Sequence, residues 1–244
     1  MTFALAAVSL VVGALIGAVG IGGILLIPGL VVLGQLPIHT ASATALFTFL
    51  FTGALSAWLF ARRGSIDWRA SLPVCASALA FSYIGAFVNS LTNAALLDRI
   101  IGTVIVLAGI NVLVPVRGLS SRAQATRRTP LLALVGAAAG FGSGLTGAGG
   151  PLFSVPIMLA LGFPPLMTIG VSQILQLISA GSGTLANLAY GKFNYGVALL
   201  IIPFELVGVA IGVAVAHRAN VAHLRRAAAW LCIVAGTFVL IRGA

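Results

Sequence analysis

The sequence predicts an all-α, polytopic membrane protein of two homologous repeats. Each repeat holds a broken, half-helix element followed by three transmembrane helices. Three observations predict this. Of 244 residues, 60% are hydrophobic and only 7% are charged, whereas a water-covered globular domain carries roughly a quarter charged residues. The apolar residues form runs at about 3–19, 24–35, 40–61, 70–90, 96–116, 131–147, 152–162, 168–190, 196–216 and 224–242, and a spanning helix needs about 20 of them. The third observation is an internal duplication.

Gly13 and Gly17 pair with Gly136 and Gly140, and Gly20, Gly22 and Gly23 pair with Gly147, Gly149 and Gly150. Pro28 then matches Pro156, Leu33-Gly34 matches Leu161-Gly162, Pro37 matches Pro165 and Thr40 matches Thr168. The segment Gly64 to Trp68 matches Gly191 to Tyr195, Gly85 matches Gly212 and Arg99 matches Arg226. From Gly20 onward the spacing stays at 127 or 128 residues. Chance pairing in a chain with 30 glycines does not hold one offset across prolines, an arginine and an aromatic. The expected organisation is a first transmembrane repeat over 1–116, a basic linker over 117–129 and a second transmembrane repeat over 130–244.

Taken in order, the first run has no basic residue before Arg62, so it reads as a retained membrane segment; a secretory signal needs a positive n-region. It ends at Val19-Gly20-Ile21-Gly22-Gly23, and its counterpart ends in the stretch from Gly142 to Pro151. Helix is not expected to persist through either stretch, because each Gly costs about 1 kcal/mol relative to Ala. The backbone groups freed there cannot face lipid and must be buried in protein or line a wet cavity. Pro151 is suited to the first turn of the helix that follows. Three full-length runs complete each half.

Thirteen Lys and Arg against three Asp and Glu give a net charge of +10. Nucleic-acid binding would need these charges on one basic face. They fall instead in short clusters between apolar runs, so no nucleic-acid partner is expected and the lipid bilayer is. Two spanning counts remain open. If both broken elements cross, there are eight spans and the basic residues divide nine to four; if both are re-entrant, there are six spans in inverted halves and they divide ten to three. Both counts place loops 62–69 and 117–129 in the cytoplasm by the positive-inside rule, in a cell (inner) membrane. Gly208 and Gly212 suit either a dimer contact or an internal helix pair, so the oligomeric state stays open.

The chemistry concentrates at the breaks. A half-helix that starts inside the membrane presents unpaired N–H groups and the positive end of its dipole, and two such ends make an anion site without a cationic side chain. The candidate substrate-binding residues are Gly22, Gly23, Ile24, Ser143, Thr146, Gly149 and Gly150, with Thr44, Thr48, Ser172, Gln173 and Gln176 from the neighbouring polar runs. Ser172 and Gln176, four apart, share a helix face. Glu205 lies inside an apolar run, where a carboxylate is costly; it is the candidate proton-coupling group, against the alternative of a structural carboxyl near Pro203. Asp67 and Asp98 read as solvated partners of basic loop residues. Cys75 and Cys232 read as packing residues. His39, His217 and His223 are too scattered for a metal site, and neither a metal nor a cofactor is expected. Gly142 to Gly147 spells a dinucleotide-binding glycine pattern, but no β-strand precedes it. No HExxH or GxSxG motif occurs, so an enzyme is not expected.

The duplicated segments Gly20-Ile-Gly-Gly-Ile-Leu-Leu-Ile-Pro28 and Gly144-Leu-Thr-Gly-Ala-Gly-Gly-Pro-Leu-Phe-Ser-Val-Pro156 resemble the TauE/SafE sulfite exporter family, also called the toluene sulfonate uptake permeases. The resemblance extends over essentially the whole chain. It implies transport of sulfite, sulfonates or related organosulfur anions. An oxyanion of that kind needs N–H and O–H donors and a positive field, which facing half-helix ends supply.

Overall fold

The computed structural model describes residues 2–20, 22–113, 129–161, 163–190 and 193–218, with isolated helical positions between 230 and 241. The linker 117–129 up to Arg128, most of the run 224–242, Cys232 and His223 lie outside the described residues, as does the side chain of Asp98. Among the described residues all regular structure is helical. The elements are α1 (Thr2–Val19), a 3-10 turn (Gly23–Leu25), α2 (Leu26–Val32), α3 (Ile38–Arg62), α4 (Trp68–Leu91) and α5 (Ala94–Leu113). The second half contributes α6 (Thr129–Thr146), α7 (Pro151–Ala160), α8 (Pro165–Tyr190) and α9 (Tyr195–Arg218). Helices α3, α4, α6 and α9 are long and apolar enough to cross a bilayer.

Helix ends follow local chemistry. Asp67 caps α4, its carboxylate accepting the N–H groups of Arg69 and Ala70 at 2.9 and 3.2 Å. That satisfies two of the four orphan donors of the first turn and corrects the expectation of a carboxylate serving only a loop arginine. Arg62 instead lies over the Trp58 ring at 4.8 Å.

Glycine fixes which helices touch. A Cβ at Gly13 or Gly17 would run into the α9 backbone at Glu205 and Val209, and one at Gly208 or Gly212 would run into α1 at Leu10 and Ala14. The second pair is built alike. Gly140 and Gly144 lie against Ala78 and Ser82 of α4, and Gly85 lies against Phe141 of α6. These contacts keep the 127-residue offset, so Gly13 and Gly17 stand in the places of Gly140 and Gly144, one turn beyond the pairing read from sequence. Gly208 and Gly212 are consumed inside the chain. Each first helix therefore packs on the second full-length helix of the opposite half, α1 on α9 and α6 on α4.

Direction follows from the same contacts. Helix α1 runs parallel to α9, since Gly13 meets Glu205 while Gly17 meets Val209 and Val213. Helix α9 runs parallel to α3, because Thr48 meets Glu205 and Ser65, just beyond α3, meets His217. A short turn reverses the chain into α4, and α6 runs parallel to α4 through Gly136 at Val74 and Gly144 at Ser82. Helices α1 and α6 thus point in opposite directions. The chain also doubles back after α1, with Gly22 beside Val12 and Ile16 and Gly29 beside Val8. The broken elements are hairpins, which selects the inverted arrangement over two additional crossings.

The second break is shorter than expected. Helix α6 continues through Gly140, Gly142 and Gly144 to Thr146. Their intrinsic cost is offset by burial against α4 and against the Phe153 ring, which lies where a Gly142 side chain would be. Ser143 and Thr146 therefore belong to the last turn of a helix, and the break is confined to Gly147–Gly150.

Candidate anion site at the paired helix breaks

The two breaks are made by left-handed glycines, with φ of 80° at Gly20, 71° at Gly147 and 87° at Gly149, a conformation that L side chains disfavour. They turn the chain so that both short helices start beside one residue, Phe49. A Cβ at Gly23 would lie 2.7 Å from the Phe49 ring and 2.9 Å from the Ala148 carbonyl oxygen. A Cβ at Gly149 would lie 3.5 Å from the same ring. Phe49 is fully buried and sits midway along the 25-residue α3. The starts of both short helices therefore meet at mid-depth of a spanning helix.

The backbone there carries free donors. The N–H groups of Gly22, Gly23, Gly149, Gly150 and Leu152 find no acceptor among the described residues. Pro151, at the first position of α7, has no N–H to leave unpaired. The carbonyl sides of the breaks are closed from the opposite half. Gln173 Nε2 donates to the Ile16 carbonyl near the end of α1 at 3.0 Å, and Asn89 Nδ2 donates to the Leu145 carbonyl near the end of α6 at 2.6 Å. With acceptors capped and donors open, the region suits an anion.

The expected side chains divide into two groups. Gly22, Gly23, Gly149 and Gly150 come together at the breaks, and Ile24 is buried beside them. Thr146 Oγ1 donates to the Gly142 carbonyl at 2.7 Å and accepts the Ala148 N–H at 3.2 Å, shaping the second break. Ser143 Oγ is buried with no partner among the described residues. The remainder are engaged between helices. Thr44 Oγ1 accepts the Asn194 N–H at 3.1 Å, Ser172 pairs with Ser154 at 2.8 Å, and Gln176 Nε2 donates to Thr52 at 3.1 Å. Gln173 Oε1 also accepts from Ser56 at 2.7 Å.

Glu205 is fully buried in α9. The Thr48 hydroxyl, which bonds the Ala45 carbonyl at 3.0 Å, lies 3.4 Å from its Oε1, and Oε2 has no partner among the described residues. Among the described residues the carboxyl has no hydrogen bond to backbone near Pro203. Asn89, Thr52, Ser56 and Ser179 were not singled out from sequence. For two of them the signal was present: Thr44, Thr48, Thr52 and Ser56 recur every fourth residue and so share one face of α3.

A helical membrane protein with two discontinuous helices meeting at mid-depth belongs to the class of membrane transporters. The family model described as Sulfite exporter TauE/SafE matches residues 5–239, and the chain belongs to that family. It is 27% identical over 211 residues to "Probable membrane transporter protein YdhB" of Bacillus subtilis, covering 84% of this chain and 86% of that protein. It is 27% identical over 229 residues to "Probable membrane transporter protein YunE" of the same organism, covering 84% and 83%. A similar relative in Methanocaldococcus jannaschii, "Probable membrane transporter protein MJ0441", is 25% identical over 212 residues, covering 82% and 79%. No solved structure matches the chain.

Proposed function

We propose that this protein is a secondary transporter that carries sulfite, a sulfonate or a related organosulfur anion across the cell (inner) membrane by alternating access. The reading rests on one observation, the meeting of Gly23 and Gly149 at Phe49 with free N–H groups on both sides. Family membership supports the substrate class. Loops 62–69 and 117–129 face the cytoplasm on this reading, and the repeats 1–116 and 130–244 are the units of sequence. The units of motion differ from them. The glycine contacts bind α1 to α9 and α4 to α6, so each interlocked pair takes one helix from each half and moves as a body, with the site between the pairs. Glu205 serves as the proton-coupling carboxyl, because it is the buried ionisable group of the described spans and half of it is unpartnered.

Counterflow of radiolabelled sulfite in proteoliposomes tests this, with sulfate, thiosulfate and small sulfonates as competitors at two internal pH values. The expected result is saturable exchange with one preferred competitor. Flux that does not saturate and shows no counterflow would make the protein an anion channel. Absence of flux for every sulfur anion would remove this substrate class, and leave a non-transporting membrane scaffold as the reading to pursue.

A further inference from the structure

Ser179 is a small residue in the middle of α8 that the paired-break reading does not use. Its side chain is fully buried, and its Oγ has no hydrogen-bond partner among the described residues. A serine inside an apolar helix ordinarily returns its hydroxyl to a carbonyl one turn back. Ser9, Ser77 and Thr146 of this protein do so, at Leu5, Pro73 and Gly142. Ser179 forgoes that bond to Leu175. Its Oγ instead lies 3.4 Å from the point a Cβ on Gly150 would occupy.

Gly150 is the N-cap of α7, a ten-residue helix. It supplies no side chain to cap that helix, and the N–H groups of Gly149, Gly150 and Leu152 around it are unpaired among the described residues. The serine is held in place from outside, because Ser82 Oγ on α4 donates to the Ser179 carbonyl at 2.7 Å. A buried hydroxyl without a partner, steered toward a helix N-terminus that also lacks one, is two halves of a vacant donor set. What completes both at once is a group with several acceptor oxygens and negative charge.

From this juxtaposition we propose that Ser179 is an anion-binding residue, its hydroxyl donating to an oxygen of the oxyanion that the α7 N-terminus holds. The inference rests on the transporter reading above and deepens it by assigning the anion to the second break. A side chain crowds each N-terminus, the Phe49 ring 2.7 Å from where a Cβ on Gly23 would lie and Leu175 2.9 Å from one on Gly150, but at Gly150 the Ser179 hydroxyl is also among the nearest atoms. The oxyanion head then sits at Gly149, Gly150 and Ser179, and Phe49 and Leu175 form the apolar wall around it.

The test is thermal unfolding of the detergent-purified full chain with and without sulfite, and with sulfate and methanesulfonate for comparison, alongside sulfite counterflow. Ser179→Ala removes a hydroxyl that has no partner among the described residues, so its unfolding temperature without anion should equal or exceed wild type. Its apparent affinity should fall about tenfold or more, the loss expected for one hydrogen bond to a charged group, with KM rising and the maximal rate changing little. Ser179→Thr, which keeps the hydroxyl, should retain the anion-induced shift. A lower unfolding temperature for Ser179→Ala with an unchanged KM would make Ser179 a packing residue and overturn the proposal. Ser82→Ala keeps the donor and loosens its anchor; it should weaken binding less than Ser179→Ala, and the reverse order would also count against the assignment. If wild type itself shows neither a shift nor exchange with any of these anions, the transporter reading fails together with this one. An equal response in wild type and Ser179→Ala fails this inference alone.

Discussion

The two glycine breaks share spacing and backbone and differ in what surrounds them. At the first, Gly20 is followed by a 3-10 turn and a seven-residue helix, and the Phe49 ring covers Gly23. At the second, Pro151 starts a ten-residue helix at once, Thr146 braces the turn, and Gly150 faces the Ser179 hydroxyl. Their caps differ too: a glutamine on α8 closes the end of α1, and an asparagine on α4 closes the end of α6. Both breaks open backbone donors. The chemistry around those donors is not repeated, so an anion meets one polar side and one apolar side.

The largest effects should come from the contacts the halves share. Gly17→Val and Gly144→Val each drive a branched side chain into the backbone of the facing helix, at Val209 and at Ser82. Overpacking against backbone costs on the order of 3 kcal/mol or more. Both variants should yield little monodisperse protein, and recovery of one at wild-type level would show that the two interfaces are not equivalent. Glu205 is the sharpest difference in side-chain chemistry, since Ala78 stands in its place against Gly140 in the first half. Exchange by wild type should respond to an imposed pH gradient, while Glu205→Gln should exchange at a rate that ignores it. Coupling that survives in Glu205→Gln would place the proton-carrying group elsewhere.

Next come the turn glycines. Gly20→Ala and Gly147→Ala both force an L residue to positive φ, a cost of about 1–2 kcal/mol each. A methyl at Gly147 would also meet the Ser42 carbonyl oxygen at 2.6 Å, whereas at Gly20 the nearest atom is a Val155 side-chain carbon at 3.3 Å. Gly147→Ala should therefore lower the unfolding temperature more. The smallest difference is expected between the caps. Asn89→Leu leaves the Leu145 carbonyl without its donor, a loss of about 1–3 kcal/mol, whereas after Gln173→Leu the Ile16 carbonyl still accepts the Gly20 N–H at 3.0 Å. Asn89→Leu also removes the bonds to Ser42 and His39, whereas Ser56 keeps the Gly53 carbonyl when Gln173 is lost, so Asn89→Leu should be the slightly less stable of the two in a melting series.

Much of this was legible in the residue order, for physical reasons. Helix in a bilayer is dictated by composition and run length, because lipid leaves the backbone no other partner, and the helix limits follow the apolar runs closely. The breaks were legible because left-handed turns need glycine. The second was read as too long, since propensity does not register that Gly142 and Gly144 are held helical by Phe153 and α4. Pairings between distant helices were out of reach. A glutamine inside an apolar run gives no sign that it will cap Ile16, and one serine among several gives no sign that it will leave its own backbone unbonded.

The sequence by itself determined that the chain is helical, membrane-embedded and broken twice by glycine, because each of these follows from local apolar content and local backbone freedom. Tertiary structure alone decided that the broken elements fold back as hairpins, that each first helix locks onto the opposite half, and that both breaks converge on Phe49. Those outcomes depend on close approach between separate segments, from Gly22 against Val12 to Gly13 against Glu205, and close approach is a property of packing.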